Sequence, residues 1–326
     1  MTTTSVGQFD KRLHSETRQK YLFVASTGGH LAQLVRMSAA MNPAEDSLWV
    51  TFESPQSESL LAGRRVRYVP YIASRDLRGV VRASKSARQI LKDEAFDCVI
   101  STGAALALAV MPVAKIRRIP ARYVESVSRV QGPSLTGRVI AALRLAETHT
   151  QHSNWASRRW IKHPSVLSQF SQATKTSYSE PVKKPSVFVT LGTIRPYRFD
   201  SLVDALLSTG LCNELTTWQL GHTNRSDLPG TVVDQISAED FSRLCKESDI
   251  VVTHSGVGTI LNLLEAGIHP VVVPRRKSRG EHVDDHQLQI AALVAELGIA
   301  TVAEADALKA EHLLTASQLK TVPVRP

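Results

Sequence analysis

The stretch DIVVTHSGVGTILNLLEAGIHPVVVPRR, residues 249–276, changes character three times along its length. A β-rich run leads into a tight turn with Ser255, Gly256 and Gly258; a helical stretch opens near Thr259, and a second β-rich run, HPVVVP (269–274), follows. Strand, turn, helix and strand in so short a span make a βαβ unit, whose two strands must be parallel. The first turns of such a helix present unpaired N–H groups and the positive end of a dipole, and small residues let an anion come close. The turn therefore reads as a seat for a diphosphate, against the plainer reading in which the glycines serve only the geometry of a strand-to-helix turn.

The same alternation runs outward in both directions. On the N-terminal side come YLFVAS (21–26) and a helix from about Leu31, LWVTF (48–52), a helix from Asp76 to about Asp93, FDCVIS (96–101), and RYVES (121–125) with a helix from about Leu135. After a Ser-, Lys- and Pro-rich interval the pattern restarts with SVFVTLG (186–192), TTWQLG (216–221) and VVDQI (232–236), and helices are expected over Asp240–Lys246 and Asp284–Leu297. Two tandem α/β domains result, with a flexible leader over 1–20, a first domain over 21–165, a linker over 166–185 and a second domain over 186–326. Each is expected to be a Rossmann-like parallel-sheet domain, the two facing across a cleft lined by the carboxyl ends of their strands.

Composition narrows the class. With 326 residues and 43% apolar content the chain can bury full cores. Cys98, Cys212 and Cys245 form no C-x-x-C pair, which excludes a disulfide framework or thiolate zinc site and suits a reducing cytoplasm. The leader has no apolar core of the secretory kind, and the longest small-apolar run, Ala104–Ala114, is about half of the ~20 residues a membrane span requires. Residues 61–130 hold fourteen Lys or Arg against five Asp or Glu, an excess equal to the whole chain's net +9. Anionic partners are thus expected on the first domain. Arg78, Arg82, Lys85, Arg88 and Lys92 form one stripe of the helix over 77–92, either simply solvated or set against anionic lipid headgroups; no aromatic residues interleave it as a nucleic-acid platform would need.

Three further groups carry candidate chemistry. VASTGGHLAQL (24–34) puts Gly28 and Gly29 between the first strand and its helix, with His30 at the helix entrance, where an imidazole suits proton abstraction near neutral pH. The rival reading, a dinucleotide site with Glu53 as the ribose acid, lacks the G-x-G-x-x-G spacing, and a histidine that only caps the turn is the bland alternative. Glu125 ends RYVES ahead of SVSRVQGPSLTG (126–137) and is expected near His30, to orient it or to bind acceptor hydroxyls, unless it is merely solvated. In GEHVDDHQLQIAALVAELG (280–298), Asp285 and Gln287 stand at a helix start where they could bond sugar hydroxyls. A metal site of His282, Asp284, Asp285 and His286, or a plain acidic first turn, are the alternatives there. Arg275, Arg276, Lys277 and Arg279 adjoin this turn and could pair with a uronic carboxylate or simply face solvent.

Taken in order, STGGHLAQL (26–34), STGA (101–104), YVESVSRVQGPSLTGR (123–138), VTLGT (189–193), THSGVGTILNLLEAGIHPVVVPRR (253–276) and GEHVDDHQ (280–287) resemble glycosyltransferase family 28. The likeness is to a fused form of its two-subunit exopolysaccharide and capsular polysaccharide enzymes, related to those that add N-acetylglucosamine to peptidoglycan or dolichol-linked lipids. The resemblance implies a GT-B fold, with acceptor held by the first domain and a UDP-sugar by the second. It implies that His30 is the general base, with Glu125 beside it and Gly28, Gly29, Thr102 and Gly103 on the acceptor side. Gly192, Thr193, Ser255, Gly256, Gly258, Thr259, Asp285 and Gln287 fall to the donor. Asn262 stands where the peptidoglycan enzyme has a glutamate for the ribose hydroxyls, and an amide bonds a hydroxyl without the charge assistance of a carboxylate.

The expected reaction is transfer, with inversion, of a hexose, hexuronic acid or N-acetylhexosamine from a UDP-sugar to a polyprenyl-diphosphate-linked saccharide. It needs no cofactor and no metal, in keeping with the absence of a D-x-D sequence. The chain is expected at the cytoplasmic face of the membrane, on the inner leaflet, in company with other polysaccharide-synthesis proteins and without nucleic acid. The alternatives are a UDP-sugar epimerase of the same fold and a non-catalytic membrane adaptor for a glycosyltransferase partner.

Overall fold

The computed structural model describes residues 18–73, 76–175, 184–192 and 195–324. The chain divides into two compact units. The first holds the residues up to Glu125, Pro133–His149 and Arg158–Ile161; the second holds Ser126–Gly132, Thr150–Ser157 and everything from Lys162 on.

The first sheet is built from β1 (Tyr21–Ala25), β2 (Leu48–Phe52), β3 (Arg65–Val69), β4 (Cys98–Gly103), β5 (Ala121–Val124), β6 (Glu147–Thr150) and β7 (Trp160–Lys162). Its helices are α1 (Gly29–Ala39), α2 (Pro55–Leu60), α3 (Leu77–Asp93), α4 (Ala105–Ile116) and α5 (Leu135–Ala142). The strand order is β3-β2-β1-β4-β5-β6-β7, and the pairings from β3 through β6 are parallel. β1 and β2 are buried along their whole length, so they read as continuous apolar runs, as a sheet covered on both faces requires. Phe23 and Trp49 stack across β1 and β2 at 4.4 Å in the centre of this core. Helix α3 begins where the Asp76 carboxylate accepts from the Gly79 N–H at 2.9 Å. It turns Ala83, Ala87, Ile90 and Leu91 inward and leaves all five of its basic residues exposed.

The second unit opens with β8 (Phe170–Thr174), then β9 (Val187–Thr190), α6 (Asp200–Ser208), β10 (Thr217–Gln219), β11 (Thr231–Val233), α7 (Ala238–Glu247) and β12 (Ile250–His254). It continues with α8 (Val257–Glu265), β13 (Val271–Val273), α9 (His286–Glu296), β14 (Thr301–Val302), α10 (Ala310–Ser317) and β15 (Leu319–Pro323). Its main sheet has the order β11-β10-β9-β12-β13-β14, all parallel. The core gathers Val187, Val189, Phe199, Trp218, Val252, Val271 and Leu313, and the Trp218 indole N–H reaches the Pro229 carbonyl at 2.9 Å. Burying each of the valine, leucine and phenylalanine side chains in this core contributes about 1.5–3 kcal/mol.

Counted from each sheet's first central strand, both orders run 3-2-1-4-5-6, with a seventh strand added at the end of the first sheet; this is the doubly wound arrangement in which chain direction across the sheet reverses between strands 1 and 4. A crevice opens at that reversal, beyond the carboxyl ends of β1 and β4 in one sheet and of β9 and β12 in the other.

Three parts of the sequence reading are corrected here. β3 and β6 were not expected as strands: β3 is an edge strand carrying exposed Arg65 and Arg67, and β6 is polar ETHT, so neither shows the apolar run of an interior strand. The expected linker over 166–185 contains β8, which pairs antiparallel with β15, and Val166, Leu167 and Phe170 bury themselves among the polar residues that suggested a loose segment. The segments 126–132 and 150–157, assigned by sequence to the first domain, belong to the second unit. The leader, as far as residue 17, and the end of the expected linker, 176–183, lie outside the described residues.

Candidate active site

In the first unit, β1 runs into Gly28, whose φ of +87° turns the chain into α1. This puts His30 in the first turn of α1, and β4 ends beside it with Thr102 and Gly103. His30 Nδ1 lies 2.8 Å from the Thr102 carbonyl oxygen, and the Thr102 hydroxyl donates to the His30 carbonyl at 2.7 Å. A carbonyl only accepts, so Nδ1 carries the proton and Nε2 is the basic nitrogen. Gly103, with φ of +127°, sits so close that a Cβ there would lie 3.0 Å from the His30 ring and 3.1 Å from the Tyr123 hydroxyl. The sequence reading thus brings together Gly28, Gly29, His30, Thr102 and Gly103.

Two details differ from expectation. The Gly28 backbone, placed on the acceptor side by sequence, is engaged within the unit: its N–H donates to the Gln56 side chain at 2.5 Å, and the Gln56 amide returns a bond to the Gly28 carbonyl at 3.2 Å. Gln56 was not singled out from sequence; its place one residue into α2, after the β2 end, is the only signal. Glu125 is 1% exposed, and its carboxylate accepts from the Ser134 N–H at 2.9 Å, the Ser134 hydroxyl at 3.0 Å and the Tyr123 hydroxyl at 3.2 Å. It fastens the start of α5 to the end of β5, which is the work of a positioning residue; buried carboxylates persist only where so bonded.

In the second unit, Gly192 follows β9 with φ of +77° and Ser255 and Gly256 follow β12. The ring of His254 lies between the two glycines: a Cβ on Gly192 would come within 2.6 Å of it, and one on Gly256 would collide with Nε2. Burial first, then the nearby Arg275 cation, holds the His254 imidazole down to about 3 against a backbone hydrogen bond to Thr190, so it is neutral at ordinary pH. Ser255, 2% exposed, has its hydroxyl buried with no hydrogen-bond partner, immediately before α8, where Gly256 supplies no side-chain cap. A buried hydroxyl left without a partner forfeits about 1–3 kcal/mol. Helix α8 continues with Gly258 and Thr259 in its first turn and half-buried Asn262 beyond. Thr193 lies outside the described residues.

The sequence motifs do not single out His254; the signal available is its position directly before the serine–glycine turn. Gln287 and Asp285 stand at the start of α9, but each already has work: Gln287 Oε1 accepts from the Arg275 N–H at 3.1 Å and Asp285 from the Lys277 N–H at 2.9 Å. The uronic-acid reading of the arginines is corrected. Arg275 is fully buried; its guanidinium donates to the carbonyls of Leu191, Tyr197, Arg198 and Glu281 and lies 4.7 Å over the Phe199 ring. Arg276 forms a two-pronged pair with Glu304, and Arg279 pairs with Asp306. Arg275 instead ties the loop after β9 to the turn before α9, and burial lowers it to about 10.

Comparison with known proteins bears on the fold and on the second unit's relatives. Residues 221–318 match the C-terminal domain of glycosyltransferase family 28. The chain is 24% identical over 300 residues to the UDP-N-acetylglucosamine--N-acetylmuramyl-(pentapeptide) pyrophosphoryl-undecaprenol N-acetylglucosamine transferase of Synechococcus sp. (strain CC9311), covering 83% of this chain and 80% of that one. Among solved structures it is similar to Acinetobacter baumannii MurG, with TM-score 0.56, 19% identity and coverage of 91% and 89%. It is also similar to a UDP-N-acetylglucosamine 2-epimerase, with TM-score 0.54, 13% identity and coverage of 92% and 94%. At these identities the structural likenesses establish the fold, which is GT-B.

Proposed function

We propose, from the premise that this chain carries the C-terminal domain of glycosyltransferase family 28, that it moves a sugar from a UDP-sugar to a polyprenyl-diphosphate-linked saccharide in cell-envelope or exopolysaccharide synthesis. The observation that carries the reading is the partnerless, buried Ser255 hydroxyl at the start of α8, beside a neutral His254 framed by Gly192 and Gly256. A diphosphate there meets the helix N–H groups and the Ser255 hydroxyl, while the buried Arg275 adds positive potential behind them. As the glycosidic bond breaks, charge grows on the leaving diphosphate, and donors already oriented toward it stabilise that charge without reorganising.

On the acceptor side His30 Nε2, fixed as the basic nitrogen by Thr102, removes the hydroxyl proton while the oxygen attacks the anomeric carbon from the face opposite the diphosphate, which inverts the configuration. Asn262 and Gln287 Nε2 are the proposed contacts to donor hydroxyls. The lipid acceptor is supported by the Synechococcus relative, whose name specifies an undecaprenol-linked substrate. Membrane-surface work is supported by the first unit. Its α3 exposes Leu77 and Val81 together with Arg78, Arg82, Lys85, Arg88 and Lys92, and no helix among the described residues is long and apolar enough to cross a bilayer. Each cation near an anionic surface contributes about 1 kcal/mol.

The test is release of UDP from a panel of UDP-sugars, with and without polyprenyl-linked saccharide. Release that needs both one donor and the lipid upholds the proposal and names the sugar. Interconversion of a UDP-sugar without acceptor would support the epimerase reading, whose fold the chain shares, and inertness toward every donor the adaptor reading.

A further inference from the structure

We infer that His282, Asp284 and His286 form a binding site for one divalent transition-metal ion, of the zinc or cobalt kind. The three occupy alternate positions of the turn that leads into α9, and their ligand atoms all lie within 4.8 Å of one another. His282 Nδ1 is 3.3 Å from Asp284 Oδ1, and His286 Nδ1 touches the same oxygen. Metal bonds of 2.0–2.2 Å at tetrahedral angles put neighbouring ligand atoms roughly 3.3 Å apart, the spacing of the His282–Asp284 pair; His286 Nδ1 lies closer to the carboxylate than that and draws back to admit an ion. The two imidazoles cross at 80° with centroids 5.0 Å apart, so their nitrogens converge while the rings stay clear of each other.

The surroundings fix the donors in place. His282 is buried and stacks on Tyr197 at 6.0 Å, and the Arg275 guanidinium holds the Glu281 carbonyl one residue earlier. His286 is the first residue of α9, so the rigid helix sets its backbone direction. Two imidazole nitrogens and one carboxylate oxygen suit zinc, cobalt or nickel rather than magnesium or calcium, which prefer all-oxygen sets. Three protein ligands leave a fourth position for water or another oxygen ligand. The ion would clamp the turn ahead of α9, whose next residue is Gln287. The inference is independent of the transferase reading because its test reads metal occupancy alone.

The full chain, with any polyhistidine tag removed and metal stripped by chelation, is titrated with Zn²⁺ by calorimetry and with Co²⁺ by visible absorption. The expected result is one ion per chain, with cobalt bands of a four-coordinate site. Binding should weaken at least about tenfold in Asp284→Asn and vanish in His282→Ala/His286→Ala, while His222→Ala binds as the parent does. No uptake by the parent chain, or equal uptake by the Asp284→Asn variant, overturns the inference. Asp284 is only half-buried, so its variant decides the question even if the double variant fails to fold.

Discussion

His30 Nδ1 and the Thr102 carbonyl oxygen stand 2.8 Å apart, joining the first turn of α1 to the end of β4. The bond assigns the proton of the ring, and the return bond from the Thr102 hydroxyl locks the backbone it hangs from. If His30 is the base, His30→Ala lowers turnover by about 10²–10⁴-fold and leaves donor affinity in place. An unchanged rate removes the assignment. Thr102→Val keeps the carbonyl but loses the buried hydroxyl bond; it should cost about 1 kcal/mol of stability and reduce kcat more than KM, as steady-state kinetics would read.

Gly256 has an ordinary φ of −81°, so only the His254 ring forbids a side chain there, whereas Gly192 is constrained both by the ring and by its φ of +77°. Gly256→Ala should therefore destabilise the second unit by about 1–3 kcal/mol, and His254→Ala in the same chain should recover most of that loss. The same rescue of Gly192→Ala should be incomplete, because the backbone strain persists. Denaturant midpoints of the two double-mutant cycles check this, and equal rescue would contradict it.

Arg275 and Arg276 are neighbours with opposite expectations. Arg275→Lys removes a buried fork that serves four carbonyls, and about 3 kcal/mol or more of stability should go with it. Arg276→Ala breaks a pair with Glu304 that is about a third exposed on both sides and should cost about 1 kcal/mol or less. Thermal or urea unfolding separates the two.

Burial holds His254 down to about 3 and His269 down to about 4, against 6.5 for a free imidazole. Between those values the unfolded chain binds protons that the native one does not. The stability these neutral rings contribute is therefore complete above about pH 6.5 and is lost as pH falls through the lower values. The slope is at most about 1.4 kcal/mol per pH unit for each histidine. Urea unfolding at pH 7, 6, 5 and 4 should show the decline, and His254→Gln should flatten it.

The doubly wound fold was legible because interior strands buried on both faces, such as YLFVA and IVVTH, read as short apolar runs between helical stretches. The edge strand RVRYV and the polar ETHT were not, since an exposed edge and a hydrophilic strand lose that signature. Glycine turns located both crevices, because a positive φ or a close approach is written into the residue type. What the partner does is not written there. Nothing local in VASTGGH says that Gln56 takes the Gly28 amide, and nothing in RYVES says that Ser134 occupies Glu125. The basic loop 275–279 suggested an anion site, yet its arginines are settled by Phe199, Glu304 and Asp306, all distant in sequence.

The pairing of β8 with β15 bears on how the chain assembles as it leaves the ribosome. The first sheet finds all its strands before residue 163 and can close while synthesis continues. The second unit cannot: Phe170, in β8, lies opposite Pro323, in β15. Its small antiparallel sheet joins two strands about 150 residues apart, a contact whose closure entropy is met only once translation has delivered β15. Until then β8 lacks the strand that pairs with it.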